Sequence, residues 1–151
     1  MLLFALLIGI IAGLRALTAP AAVSWAAHSG GLPLDGTLLA FLGYRFTPWI
    51  LTLLALGELV TDKLAGTPSR KVPPQFIARM LMGGLSGGAI GASIGSLWPG
   101  VGLGIVGAVL GTYGGAAARA RLAQAFGRDR PAALIEDIVA ILGAALIVTA
   151  L

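Results

Sequence analysis

The chain has 151 residues, the length of one ordinary domain, yet 58% of them are hydrophobic and only 11% are charged, with a mean hydropathy of +0.97. That balance excludes a soluble globule and indicates an integral membrane protein. The net charge of +4 comes from ten Lys and Arg residues spread between apolar runs, as in loops that orient a membrane protein, so no nucleic-acid partner is expected. With no cysteine and one histidine, His28, neither a thiolate nor a His-built metal site is expected, and no cofactor is implied.

A membrane span needs roughly 20 mostly apolar residues, and five such stretches are predicted in an all-α chain. The first covers about 1–27, interrupted by Arg15 and Pro20, with Pro20 expected to kink the helix by removing a backbone donor. It has no Lys or Arg before Arg15, so it reads as a retained span rather than a secretory signal. Residues 28–36 are turn-like, and the short run from 37 to 45, ending at Tyr44 and Arg45, is too short to span and reads as an interfacial or re-entrant helix. The second span is 46–62, with Pro48 in its first turn. The third is 76–97, and Trp98, Pro99 and Gly100 are expected to turn tightly into the fourth, 101–118. The fifth is 132–151, beginning after Pro131.

Cations then set the orientation. Lys63, Arg70 and Lys71 lie between spans two and three, with Arg79 just inside span three; Arg119, Arg121, Arg128 and Arg130 lie between spans four and five. Spans three and four form a hairpin between these loops, so both loops fall on one side. The positive-inside rule makes that side cytoplasmic, with the N-terminus inside and a bacterial inner (cytoplasmic) membrane as the expected location. Trp25, Trp49 and Trp98 fall at the opposite ends of their spans, as an aromatic belt requires. His28 reads as a solvated cap at that same interface.

Thirteen of the 33 residues from 83 to 115 are glycine. Gly83, Gly87, Gly91 and Gly95 recur every four residues, as do Gly107, Gly111 and Gly115, so each set forms a smooth stripe on one helix face. Small-residue stripes let backbones approach closely in lipid. The two helices are expected to pack tightly, with each other or with a second copy; a backbone-lined path for a small solute is the functional alternative. No G-x-x-x-x-G-K-[ST] motif accompanies the glycines, so they are not a phosphate loop.

A charge near mid-bilayer costs at least about 2.5–3.5 kcal/mol on insertion scales, so it is normally paired, water-facing or functional. Arg15 sits near the middle of the first stretch and needs a partner. Glu58 lies one turn inside span two and stacks over Asp62 at i+4. Glu136 and Asp137 diverge by about 100° around their helix, so one is expected to face the bundle and the other the interface. With Arg79, these residues form one predicted cluster in the cytoplasmic half: Arg15, Glu58, Asp62, Arg79, Glu136 and Asp137. Either it binds an ion, proton or small anion, or Arg15 with Glu58 or Glu136 is a register-setting pair, while Asp62 and Lys63 solvate a helix end. The E-x-x-H partners of carboxylate metal bundles are absent.

A faint duplication links "GLRALTAP" and "GELVTDKL" to "GGAAARARLAQ" and "IEDIVAIL", giving half-repeats at about 1–65 and 100–151 of opposite topology, joined by a span at 76–97. Inverted repeats of this kind build many transporters. The segments "GLRALTAPAAVSW", "GELVTDKLAGTPSR", "IARMLMGGLSGGAIGA" and "LIEDIVAI" resemble the bacterial membrane proteins grouped as domain of unknown function 4126, over nearly the whole chain. The resemblance is most specific at Glu58, Asp62, Lys63, Pro68, Ser69 and Arg70, and Arg15, Arg79, Glu136 and Asp137 match further charged positions. It implies a membrane protein in which the polar cluster matters, and supplies no substrate. The segment "AAARARLAQAFGRDRP" departs from the pattern, which leaves the equivalence of Arg119 and Arg121 open.

Three readings follow. The first is a small inner-membrane transporter or channel-like protein for an ion or small polar solute, a homodimer within the lipid bilayer. In it Glu58, Asp62 and Glu136 bind a cation or carry protons while Arg15 and Arg79 balance them or attract an anion. The second is a non-transporting structural or accessory protein whose Lys63, Ser69, Arg70 and Lys71 contact anionic lipid or a partner. The third is a lipid-acting enzyme, for which no nucleophile with a base partner is visible; the chain is not expected to be an enzyme.

Overall fold

Leucine, isoleucine and alanine at the start of the chain wind into α1 (Leu2–Leu14) in the computed structural model, which describes residues 1–64 and 71–151. The helix stops at Arg15, whose backbone is extended (φ −141°, ψ 110°), and α2 (Thr18–His28) begins after Leu17. The first apolar stretch is therefore two short helices and not one kinked span. Pro20 does not make the break: it is the third residue of α2, where the first-turn N–H it lacks would have no intrahelical acceptor. The same holds for Pro48 in α3 (Thr47–Thr61), Pro73 and Pro74 in α4 (Pro73–Ala92), Pro99 in α5 (Leu97–Phe126) and Pro131 in α6 (Asp129–Thr149). Each of these prolines lies in the first turn of a helix and bends none.

Among the described residues there are six α-helices, one 3-10 helix (Ala40–Gly43) and no strand. The 3-10 turn stands where a short interfacial or re-entrant helix was expected, and it packs against α2 and α3. The connection between α4 and α5 is earlier than the Trp98–Pro99–Gly100 turn expected, because Trp98 and Pro99 already lie in α5. It is made at 93–96, where Gly95 adopts φ +69° and the Ser96 N–H donates back to the Gly91 carbonyl, a helix stop that favours glycine. Gly127, also at φ +69°, ends α5 in the same conformation and lets α6 double back.

The helices α5 and α6 are long and apolar enough to cross a membrane. At 1.5 Å per residue α5 extends about 45 Å, well beyond a hydrocarbon core of about 30 Å. The apolar helices α1 and α3 have 13 and 15 residues. Packing is tightest among α1, α4 and α5, while α2 contacts α3, α4 and α6. Ile8, Ile11, Val23, Leu32, Leu42 and Ile90 anchor the buried apolar core.

Glycine explains the close trio. A Cβ at Gly87 would stand 2.5 Å from the Gly100 carbonyl oxygen and 2.7 Å from the Gly104 Cα, and one at Gly83 would stand 2.6 Å from the Gly104 oxygen. So Gly83, Gly87 and Gly91 meet α5, at Gly100 and Gly104 rather than at the second stripe. Gly107 and Gly111 instead seat α1, against Leu6, Gly9 and Ile10, and Gly115 is buried on α5. Gly95 leaves its stripe to make the turn.

Candidate functional site

The break in the first apolar stretch sets the chemistry of the site. Where a helix stops, its last carbonyls and the first N–H groups of the next helix lose their partners. At the start of α2 the carboxylate of Glu58, from α3, accepts from the backbone N–H groups of Ala16 and Leu17, each at 2.8 Å. At the end of α1 the Arg79 guanidinium, from α4, donates through Nη1 to the carbonyls of Gly13 (2.7 Å) and Leu14 (2.8 Å). An anion on a helix N-terminus and a cation on a helix C-terminus are each in the favoured place. Arg79 Nη2 and Glu58 Oε1 are 3.9 Å apart, so the two caps face each other.

Arg15, between the two helices, is wholly buried. Its Nε donates to Asp137 Oδ1 (2.6 Å), Nη2 lies 2.5 Å from that oxygen and 2.9 Å from Asp62 Oδ2, and Nη1 donates to Glu136 Oε1 (3.3 Å). Glu136 and Asp137 therefore face one partner after all, and both are buried. Two neighbours on a helix can do this because a guanidinium carries donors on separate edges of a rigid fork. Of the two partners expected for Arg15, Glu136 is met and Glu58 is not, because Glu58 is engaged by the backbone and Arg79. Asp62 and Lys63 do more than solvate a helix end, since Asp62 pairs with Arg15 and Lys63 Nζ pairs with Asp137 Oδ2 while donating to the Leu59 carbonyl at 2.9 Å.

Two residues enter the cluster that sequence reasoning left out. Arg119 Nη1 donates to Asp62 Oδ2 (2.8 Å), and its Nε and Nη2 grip Asp129 at 3.0 and 2.6 Å. By sequence Arg119 is a loop cation and Asp129 carries no assigned role; in the structure Arg119 lies inside α5. The signal available was a pair of opposite charges ten residues apart, astride the glycine that reverses the chain. A line of ion pairs thus runs outward from Arg15 (side chain 0% exposed) through Asp62 (17%) and Arg119 (15%) to Asp129 (62%).

Lys71 is exposed, with Nζ 5.6 Å from the Tyr113 ring centroid. Ser69 and Arg70 fall outside the described residues. His28 Nδ1 lies 3.2 Å from the Gly43 carbonyl oxygen. Among the described residues no group of three or more His, Cys, Asp and Glu is placed to hold a metal ion. A groove of about 490 Å³ between α4 and α5 and one of about 360 Å³ between α2, α3 and α6 are lined almost wholly by apolar side chains, none of them from the charged cluster.

Compared with family models, with curated proteins and with solved structures, the chain matches none of them.

Proposed function

We propose that the protein is a multi-pass transporter of the bacterial inner membrane for an ion or small polar solute, with its basic end cytoplasmic. Helix α1 runs alongside α5 toward that end, Gly9 against Gly104 and Gly13 against Ala108, so the N-terminus falls on the other side and not in the cytoplasm as the single first span implied. The observation that carries this reading is the interrupted helix at Arg15, whose ends are capped by Glu58 and Arg79. Interrupted helices whose ends meet charged groups deep in a bundle are how many transporters build a site, and intramembrane charges are costly enough to be kept for a purpose. An uninterrupted helix would need no such caps. Ion pairs run both between the proposed half-repeats, Arg15 with Asp137 and Arg119 with Asp62, and within them, Arg15 with Asp62 and Arg119 with Asp129. A chain of this size would enclose a pathway together with a second copy. The glycine stripes are largely occupied within the chain, so that homodimer would use another face.

The test is tracer flux of Na⁺, K⁺, Cl⁻ and H⁺ in proteoliposomes. Glu136→Gln is the informative variant, because Arg15 retains Asp62 and Asp137. We expect flux of at least one of these ions above that of empty vesicles, and a loss of about tenfold or more in the variant at unchanged elution volume and melting temperature.

A second reading is favoured by the complete burial of Arg15 amid three carboxylates: the charges fix helix register in a non-transporting accessory protein. Flux no greater than in empty vesicles for all four ions would favour it.

A further inference from the structure

We propose that Arg119 is the gate of the charged site, closing a route to Arg15 from the Asp129 end of the bundle. This deepens the transport reading by adding its regulation, and it rests on that reading for what passes. The line Arg15–Asp62–Arg119–Asp129 joins α2's N-terminal side, α3, α5 and α6, and runs from a buried end at Arg15 (0% exposed) through Asp62 and Arg119 (17% and 15%) to an exposed end at Asp129 (62%). Arg119 is the only one in it that ties two different helices' carboxylates to a third helix near the surface: Asp62 at the end of α3 and Asp129 at the start of α6.

The two bonds are unequal in their surroundings. Asp129 is mostly exposed, so the Arg119–Asp129 contact is open to solvent and salt; the Arg119–Asp62 contact is four-fifths buried and shares its carboxylate with Arg15. An exposed pair is held weakly and is screened over about 8–10 Å at ordinary ionic strength. Releasing Asp129 leaves Arg119 tethered on one side only. Swinging Arg119 outward then uncovers Asp62 and, behind it, the guanidinium of Arg15. Ala133 on α6 is 1% exposed and lies four residues from Asp129 and four from Asp137, on the same helix face as both; it is the reporter position between the two ends of the line.

The chain has no cysteine, so Ala133→Cys supplies a single thiol with little change in volume. The experiment measures its reaction rate with a membrane-impermeant trimethylammonium methanethiosulfonate in vesicles of both orientations. Ala133→Cys is expected to react slowly alone. In combination with Arg119→Gln, or with Asp129→Asn should the first variant fail to fold, it should react at least tenfold faster from the Asp129 side and no faster from the other. Raising salt from 50 mM to 1 M should accelerate the single variant and leave the Arg119→Gln combination unmoved, a response that a merely structural Arg119 would not give. Equal rates in all backgrounds, or acceleration from both sides alike, would overturn the gate. Labelling needs no flux, so a gate that opens in a protein that transports none of the tested ions would count against transport and not against the gate.

Discussion

Arg15 is held by carboxylates from two helices, and Glu58 by backbone N–H groups, so these two residues should fail in different ways. Removing one partner of a buried ion pair strands the others, typically at 3–5 kcal/mol. Arg15→Met leaves Asp62, Glu136 and Asp137 gathered without their shared cation, and is expected to destabilise the fold by about that much, read as a fall in the unfolding midpoint in detergent. Arg15→Lys should recover only part, because an ammonium is a compact charge and cannot present separate edges to three carboxylates. Glu58→Gln keeps one carbonyl oxygen for the Ala16 or Leu17 N–H but turns an NH₂ toward the other, leaving a buried donor facing a donor. We expect a loss of about 1–3 kcal/mol, and Glu58→Asp, a methylene shorter, should not rescue it. If Glu58→Gln unfolds no more readily than the wild type, Glu58 is not the cap that holds α2 in place.

At the scale of the helices, the sequence foretold that the first apolar stretch would be disturbed near Arg15 and Pro20 but not which of them was responsible. Proline is the local candidate because it lacks a backbone donor. In the folded chain Pro20 sits where that donor is unneeded, and the helix ends because Glu58 and Arg79, remote in sequence, offer its broken ends better partners than helix continuation does. No local pattern announces such tertiary caps. The glycine stripes were legible as close-packing faces, whereas their neighbours were not, since period alone leaves open which helix fills a groove. The distinction is testable within one element. Gly87 faces the α5 backbone and Gly102 faces open space. Gly87→Leu should therefore force α4 and α5 apart at a cost of about 1–3 kcal/mol or more, while Gly102→Ala should be neutral or stabilising by up to about 1 kcal/mol through helix propensity. Thermal unfolding of the two variants side by side checks this, and equal effects would mean that the α4–α5 approach is looser than described.

Across the whole molecule, the charged cluster and the Trp25–Trp49 pair lie at opposite ends of α2 and α3. Asp62, Arg119 and Asp129 bring the end of α3, the distal part of α5 and the start of α6 together, so Lys63, Arg119 and Arg128 lie at one end. At the other end Trp25 and Trp49 meet edge to face with ring centroids 4.9 Å apart, and Trp25 Nε1 donates to Thr52 Oγ1. That separation was readable because the cations and the tryptophans stand at opposite ends of the apolar runs in the sequence itself. The pairing within the cluster was not, because it depends on how far a guanidinium reaches between helices. If α5 and α6 span the bilayer with this polarity, Ser29 and Ala125, both exposed, lie on opposite sides. Ser29→Cys and Ala125→Cys, made singly in this cysteine-free chain, should then react with an impermeant maleimide from opposite faces of the membrane, Ala125→Cys in inside-out vesicles and Ser29→Cys in right-side-out ones. Reaction of both from the same face would break the link between the bundle's polarity and its orientation, and would move the Arg119 gate to the other side of the membrane.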